Sequence, residues 1–377
     1  MLRKTFAVVD LSEIAHNIRV LQKNMGEGVL PMAVVKANAY GHGMKQVAQV
    51  AQNCGVRWFA VATADEAVCL RESCDAHILV LSPADEESNF ELVKRGISVT
   101  AFTPQHLHSL SAIAKELNTQ AKIHIKLDTG LGRIGLRTQE ELQDVLCCFD
   151  EFPEQLKLEG LFTHFAVADQ IEKSFTVLQL NRYLAFRNTV FEHGYHPICH
   201  ASNSAAILDM PDAHLDLCRM GISMYGYPPS GELTPFAKEL QPALSLKSTV
   251  VHVKKIEPGD SVSYGRIFIA DQPREIATVV IGYADGYPRA LSNKGKAVVR
   301  GHRADLAGRV CMDQAMFDVT GLGVQVGDEI TLIGQEGKES IWAHEVAQLC
   351  ENGMISYEIL TGISARVPRV YIETDCK

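Results

Sequence analysis

Over the first two thirds of the chain, short runs of apolar residues alternate with longer stretches whose apolar positions recur at helical spacing. The runs cover residues 32–35, 58–62, 78–81, 97–102, 122–127, 158–163, 198–201 and 215–218. They read mainly as apolar runs rather than as alternation, the pattern of parallel strands covered on both faces. Between them, residues 10–25, 63–72, 104–117, 139–149 and 173–193 read as helices. Thr63 with Glu66 three positions on is a capping-box start. Eight strand–helix repeats predict a closed (β/α)8 barrel of the TIM type. A doubly wound open sheet is the alternative, but no G-x-G-x-x-G follows an early strand.

The pattern changes after Pro228-Pro229-Ser230-Gly231. Residues 246–253, 275–281, 297–299, 317–319, 329–333 and 370–372 are rich in β-branched residues and separated by turn signals such as Glu257-Pro258-Gly259-Asp260. One helix is expected, over 342–349. This predicts a mainly antiparallel β domain. The chain thus divides into a barrel over 10–236 and a β-rich domain over 237–377, which residues 1–9 join as a strand.

Composition narrows the function classes. The chain has 377 residues, 46% of them hydrophobic, and a formal net charge of -9. Such length favours two domains. The acidic balance makes nucleic acid or an anionic membrane a poor partner. Ten cysteines follow no disulfide or metal-binding spacing, which indicates reduced thiols and a cytoplasmic address. The N-terminal apolar run is cut short at Asp10, so it does not read as a signal peptide, and no stretch is long enough to span a bilayer. No coherent cluster of metal ligands stands out, and His42, His106 and His108 read as surface or packing residues.

A barrel of this kind carries its chemistry at the C-terminal ends of its strands. Lys36 and Tyr40 follow the first strand. A half-buried lysine there has a lowered pKa and can form a Schiff base, although a lone lysine can equally snorkel to solvent. Lys126 ends the fifth strand, and Asp128-Thr-Gly-Leu-Gly-Arg133 follows it. A glycine-flanked arginine can approach an anion closely. His164 follows the sixth strand. Ser202, Asn203 and Ser204 follow the seventh; Arg219, Gly221 and Ile222 follow the eighth. The last two loops are where such barrels hold phosphate, and the bland reading of Ser202 or Asn203 is helix capping. A lysine, a phosphate cradle and two arginines fit pyridoxal 5'-phosphate (PLP), an electron sink for amino-acid chemistry. Racemisation then needs two acid/base groups on opposite sides of Cα. Lys36 can serve one; barrel motifs alone do not identify the other.

Together these motifs resemble the alanine racemase family. The run Ala33-Val-Val-Lys36-Ala-Asn-Ala-Tyr40-Gly-His-Gly43 is similar to that family's PLP-lysine signature. Residues 126–135, 163–166, 201–206, 219–222, 262–265, 282–286 and 308–313, with Tyr357-Glu358, extend the resemblance over essentially the whole chain.

The resemblance implies roles that the residues alone did not give. Lys36 would bind PLP and act as base on the D-alanine side. Tyr264 would be the opposite base; a phenol's ordinary pKa of about 10 is high for that task, and a link through His164 to Arg219 would favour the phenolate. Arg219 would face the pyridine nitrogen, leave it unprotonated and so restrain transamination. Tyr40, Asn203, Ser204, Gly221, Ile222 and Tyr357 would hold the cofactor, chiefly its phosphate. Arg133 and Met312 would bind the substrate carboxylate. Lys126 matches a position that is carbamylated in many members, and the carbamate would orient Arg133. Tyr283 would line the entrance. Tyr264 and Met312 would reach into a neighbouring subunit, making a homodimer with sites completed in trans. The product would feed peptidoglycan, or the enzyme would serve alanine catabolism. Other readings are a non-catalytic PLP carrier, which would lack the β domain, a related decarboxylase, and a serine or broad-specificity racemase.

Overall fold

The computed structural model describes residues 4–374 apart from 234, 236 and 352. Chain contacts separate two compact units. One comprises residues 14–39 and 44–241; the other comprises residues 1–13, 40–43 and 242–377. The division at 241/242 lies five residues beyond the 236/237 that the Pro-Pro-Ser-Gly punctuation indicates.

The first unit is the expected (β/α)8 barrel. Its strands are Leu30–Val34, Trp58–Val61, His77–Val80, Ser98–Ala101, Ala121–Lys126, Leu156–Phe162, Ile198–His200 and Leu217–Met220. Each pairs in parallel with the next as far as the seventh, and the eighth pairs with the first. Between seventh and eighth, backbone hydrogen bonds from Asp216 to Cys199 (3.1 Å) and from Arg219 to Ser202 (3.1 Å) close the ring. Every residue of Trp58–Val61 and of Ser98–Ala101 is buried, as continuous apolar runs require. The capping box at Thr63 forms: its hydroxyl accepts from Glu66 N–H, and Glu66 Oε2 accepts from Thr63 N–H, both at 3.3 Å. Helices Met44–Asn53 and Glu86–Lys94 complete the outer ring.

The second unit is a nine-stranded sheet. Its pairings are antiparallel except one: Phe6–Asp10 runs parallel to Arg369–Ile372 and antiparallel to Leu244–Ile256. Leu244–Ile256 also pairs with Glu329–Glu336, curling the sheet on itself. Sequence periodicity missed the short strands His302–Leu306 and Glu339–Ile341, and a second helix, Ser356–Gly362, accompanies Ala343–Leu349. Nine cysteines lie within the described residues as free thiols; Cys376 lies outside them.

Candidate active site

Lys36 sits at the C-terminal mouth of the first barrel strand, where the chain turns the wrong way for L-residues. Ala37, Asn38, Ala39 and Tyr40 all have φ between 51° and 54°. A left-handed turn of this kind costs about 1–2 kcal/mol per residue, and such strain persists where surrounding structure enforces it. Three bonds pin it: Ala39 N–H to Val35 O (2.8 Å), Ala37 N–H to Glu66 Oε1 (2.6 Å), and Met44 N–H to Asn38 Oδ1 (2.9 Å). Glu66, which first reads as a capping residue, also holds the turn beside Lys36. Lys36 is half-buried. Burial, then the charge of Arg133, lowers its pKa; Glu66 opposes them.

Lys126 is buried at 2% exposure and donates to Leu127 O. Burial, then Arg219, lowers its pKa to about 7. Beyond it, the loop to Leu136 is closed at its base by Asp128 N–H to Leu136 O (2.8 Å) and Leu136 N–H to Lys126 O (3.0 Å). Asp128 Oδ1 accepts from Gly130 N–H (3.1 Å) and Gly132 N–H (2.9 Å), shaping the loop that presents Arg133. Gly135 has φ of 119° and lies so close to Lys126 O and Asp128 N that a side chain there would collide with both. Arg133 itself is exposed, and no described residue accepts a hydrogen bond or ion pair from its guanidinium.

Arg219 is buried, and its terminal nitrogens donate to Thr163 O (2.8 Å), Ala201 O (2.8 Å) and His200 O (3.2 Å). They also meet His200 Nδ1 at 2.9 Å and His164 Nδ1 at 3.3 Å. An arginine only donates, so both imidazole nitrogens are acceptors. Burial, followed by Arg219, Arg133, Lys126 and Lys36, drives the His164 pKa well below its ordinary range, so the ring is neutral. Ser204 Oγ accepts from Gly221 N–H (2.9 Å) and Ser223 N–H (3.4 Å), drawing the last two barrel loops together around a hydroxyl. Ile222 is buried and opens the 3-10 turn Ile222–Tyr225. Asn203 Oδ1 accepts from Ala206 N–H (3.1 Å), capping the helix that carries Ser204.

The remaining site candidates belong to the other unit. Tyr40 and Tyr357 meet with ring centroids 5.9 Å apart. Gly41 and Gly43 lie against Leu360 O and Tyr371 Oη, so tightly that neither position has room for a Cβ. Tyr264, Tyr283 and Met312 come from three loops that are tied together. Ser263 Oγ donates to Arg309 O (2.7 Å), Tyr283 N–H to Cys311 O (3.0 Å), and Ala284 N–H to Met312 O (3.0 Å). Ser263 has φ of 68° and Arg266 φ of 50°, so the tyrosine is presented on a strained turn. All three side chains face outward: Tyr264 is 71% exposed, Met312 53% and Tyr283 42%.

Sequence reasoning missed His200, His124 and Glu159, which continue inward from Arg219. Their only signal is polarity at positions inside apolar strands. His42 is fully buried, His106 Nε2 meets Asn89 Nδ2 at 2.9 Å, and His108 packs on Phe152. These histidines pack within their units.

The barrel mouth fits an anionic cofactor that carries an aldehyde. Four cations, Lys36, Lys126, Arg133 and Arg219, all act on His164, and one of them, Arg133, has no anionic partner among the described residues. An amine of lowered pKa stands among them, and a hydroxyl with converging backbone N–H groups ends the last two strands. That set matches the phosphate, aldehyde and ring of PLP together with a substrate carboxylate.

Comparison with known proteins identifies the architecture independently. Residues 9–229 match the family described as alanine racemase, N-terminal domain, and residues 243–371 match alanine racemase, C-terminal domain. The chain is 42% identical over 375 residues to the alanine racemase of Clostridium tetani, covering 98% of this chain and 96% of that one. It is 40% identical to the alanine racemase of Methanococcus maripaludis, covering 97% and 98%. The crystal structure of the alanine racemase from Bacillus anthracis with bound L-Ala-P superposes with a TM-score of 0.93 at 39% identity, covering 99% of this chain and 96% of that one. The chain belongs to the alanine racemase family, PLP-dependent isomerases that interconvert L- and D-alanine.

Proposed function

We propose that this racemase works with two bases, Lys36 and Tyr264. The carrying observation is the amine of Lys36: half-buried beside Arg133, it has its pKa lowered by burial first and then by that charge, the direction a base needs. PLP, when bound, supplies the electron sink that makes the Cα–H of alanine acidic. Lys36 Nζ exchanges the proton on the D-alanine side, and Tyr264 Oη exchanges it on the L-alanine side. Neutral His164, its Nδ1 turned to Arg219, keeps Nε2–H available to hold the phenolate oxygen of Tyr264. Arg219, already bound by three backbone carbonyls, would face the cofactor's ring nitrogen and, as a group that stays protonated, would leave it without a proton.

Tyr40, Ser204, Tyr357 and the N–H groups of Gly221 and Ile222 bind the phosphate, with Asn203 holding the Ser204 helix in place. Arg133 and the Met312 N–H bind the substrate carboxylate, and Tyr283 lines the entrance. Lys126, with a pKa of about 7, is neutral often enough near neutral pH to react with carbon dioxide. Its carbamate would supply the anion that Arg133 lacks.

The active form is a homodimer in which Tyr264 and Met312 serve the partner's site. The support is their exposure, shared by Ile267 at 39% and Ile269 at 56%. Clustered apolar exposure on one surface marks an interface. The free thiols support a cytoplasmic location, and the product supplies D-alanine to peptidoglycan or enters alanine catabolism.

The test is Tyr264→Phe, assayed by solvent deuterium entering Cα of each enantiomer. Removing one acid/base group should lower racemisation by about 10²–10⁴-fold. Exchange should survive from D-alanine and be lost from L-alanine. Wild-type racemisation in this variant would rule out the two-base reading.

A further inference from the structure

Behind Arg219, a continuous line of buried polar groups crosses the barrel interior. His200 Nε2 meets His124 Nδ1 at 3.0 Å, and His124 Nε2 meets Glu159 Oε2 at 3.3 Å. Ser98 Oγ donates to the same carboxylate oxygen. His124 and His200 have no exposed surface, and Ser98 and Glu159 have 1% and 6%. Packing fixes the ring planes. His200 stacks on Phe162 with centroids 4.8 Å apart and planes 2° apart, and His124 sits edge-on to Trp58 at 5.6 Å.

Two local features exist to make this line. The pairing of the fifth and sixth barrel strands slips by one residue, with Ile123 opposite Leu158 but His124 opposite Gly160. Glu159 is the extra residue of that bulge, and bulges re-aim side chains. Gly160 then leaves the room the imidazole needs: a Cβ there would lie 2.1 Å from His124 Nδ1.

Donor and acceptor rules give the line one direction. Glu159 is ionised: burial opposes this, but the bonds from His124 and Ser98 outweigh it and hold the carboxyl near 2. A carboxylate only accepts, so His124 carries its proton on Nε2. The rings are neutral: Arg219 only donates, so His200 Nδ1 is bare and its Nε2–H meets His124 Nδ1; burial lowers the pKa of His124 against the opposing pull of Glu159, and burial with Arg219 lowers that of His200 further. His124 Nδ1 is therefore an acceptor, so His200 carries its proton on Nε2. His200 Nδ1 is in turn the acceptor that Arg219 requires. Other charges facing Glu159 are Lys157, 4.0 Å from its second oxygen, and Lys122 at the start of the fifth strand. His77 lies on the far side of Trp58, stacked at 4.3 Å.

We propose that Glu159 is a positioning residue for the racemase, fixing the tautomers of His124 and His200 so that Arg219 is held from behind by an acceptor. The proposal rests on the reading of Arg219 as the group that faces the reacting ring. Without the carboxylate, His124 is free to reverse. A reversed His200 would turn an N–H toward the guanidinium, and the 2.9 Å bond that orients Arg219 would be lost.

The experiment is histidine ¹⁵N NMR on the holoenzyme, with His124→Gln and His200→Gln used only for assignment. Both rings should be neutral with Nε2 protonated and Nδ1 bare from pH 6 to 9. Either ring found as Nδ1–H or as imidazolium overturns the proposal, and this measurement needs no Glu159 variant to fold. In Glu159→Gln, the two rings should lose their single tautomer. Its kcat should fall about ten-fold in both directions with KM within two-fold, and the pH profile should shift. Ser98→Ala, which leaves the carboxylate in place, should keep the wild-type tautomers and pH profile. Unchanged tautomers and kcat in Glu159→Gln also overturn it. Arg219→Gln with wild-type kinetics would instead refute the assignment of Arg219, whatever the tautomers show.

Discussion

Lys126→Met removes a buried cation while keeping its volume. In the folded chain the amine's pKa falls from 10.5 to about 7, by burial first and then by Arg219, against partial relief from Asp128. The unfolded chain therefore binds more protons than the folded chain between pH 7 and 10.5, and stability rises with pH across that window. Below pH 7 the whole penalty acts: about 3.5 units at 1.36 kcal/mol each, roughly 5 kcal/mol. Above pH 10.5 it vanishes. Over 377 residues, an unfolding entropy near 2.1 cal/mol/K per residue makes this about 6 °C in Tm. After the bond to Leu127 O is subtracted, scanning calorimetry of the apoenzyme should show Lys126→Met gaining about 5 °C over wild type at pH 6 and losing that advantage by pH 10.5. The bond to Leu127 O that methionine cannot make costs about 1 kcal/mol; its donor is present at every pH, so the pH trend isolates the charge. Bicarbonate at pH 8 should raise the wild-type Tm and leave the variant unmoved, with a ¹³C carbamate signal only in wild type. A gain equal at pH 6 and 10.5 would come from packing and would refute the electrostatic argument.

Further outcomes follow from the same geometry. Arg219→Glu would offer the ring nitrogen a proton and should raise the fraction of cofactor converted to the pyridoxamine form during turnover, read from its absorbance; an unchanged fraction counts against the role given to Arg219. Asp128→Ala removes the acceptor of Gly130 and Gly132 N–H, so KM for alanine should rise several-fold while PLP occupancy stays constant. Specific activity should fall on dilution below the dimer dissociation constant while PLP remains bound, as followed by ultracentrifugation beside the assay. Gly43→Ala places a Cβ 1.9 Å from Tyr371 Oη at φ of 101°. It should cost at least about 1–3 kcal/mol and lower Tm, with partial recovery on adding Tyr371→Phe.

The barrel was legible because most of its eight strands are covered on both faces and so leave largely apolar runs. The β unit was less legible: strands such as Glu339–Ile341 and Ser261–Val262 are two or three residues long, too short to show a period. Among the proposed site residues, Lys36, Arg133 and Ser204 announce themselves through strand ends and glycine-flanked loops. Tyr264 does not, since an exposed tyrosine in a β-rich region is unremarkable until Ser263 and Arg266 reveal a strained turn built to present it. His124, His200 and Glu159 were hidden for a different reason. They lie within strands, where a polar residue reads as noise in an apolar run, and Glu159 turns inward only because the register slips at His124. A sequence shows which residues are polar but not the bulge that aims them. Yet the bulge is what places a carboxylate where two neutral imidazoles and a buried guanidinium need an acceptor at the end of their line. A barrel without it would have had to leave Arg219 to its backbone carbonyls and His164, with nothing fixing the tautomer of the His200 behind it.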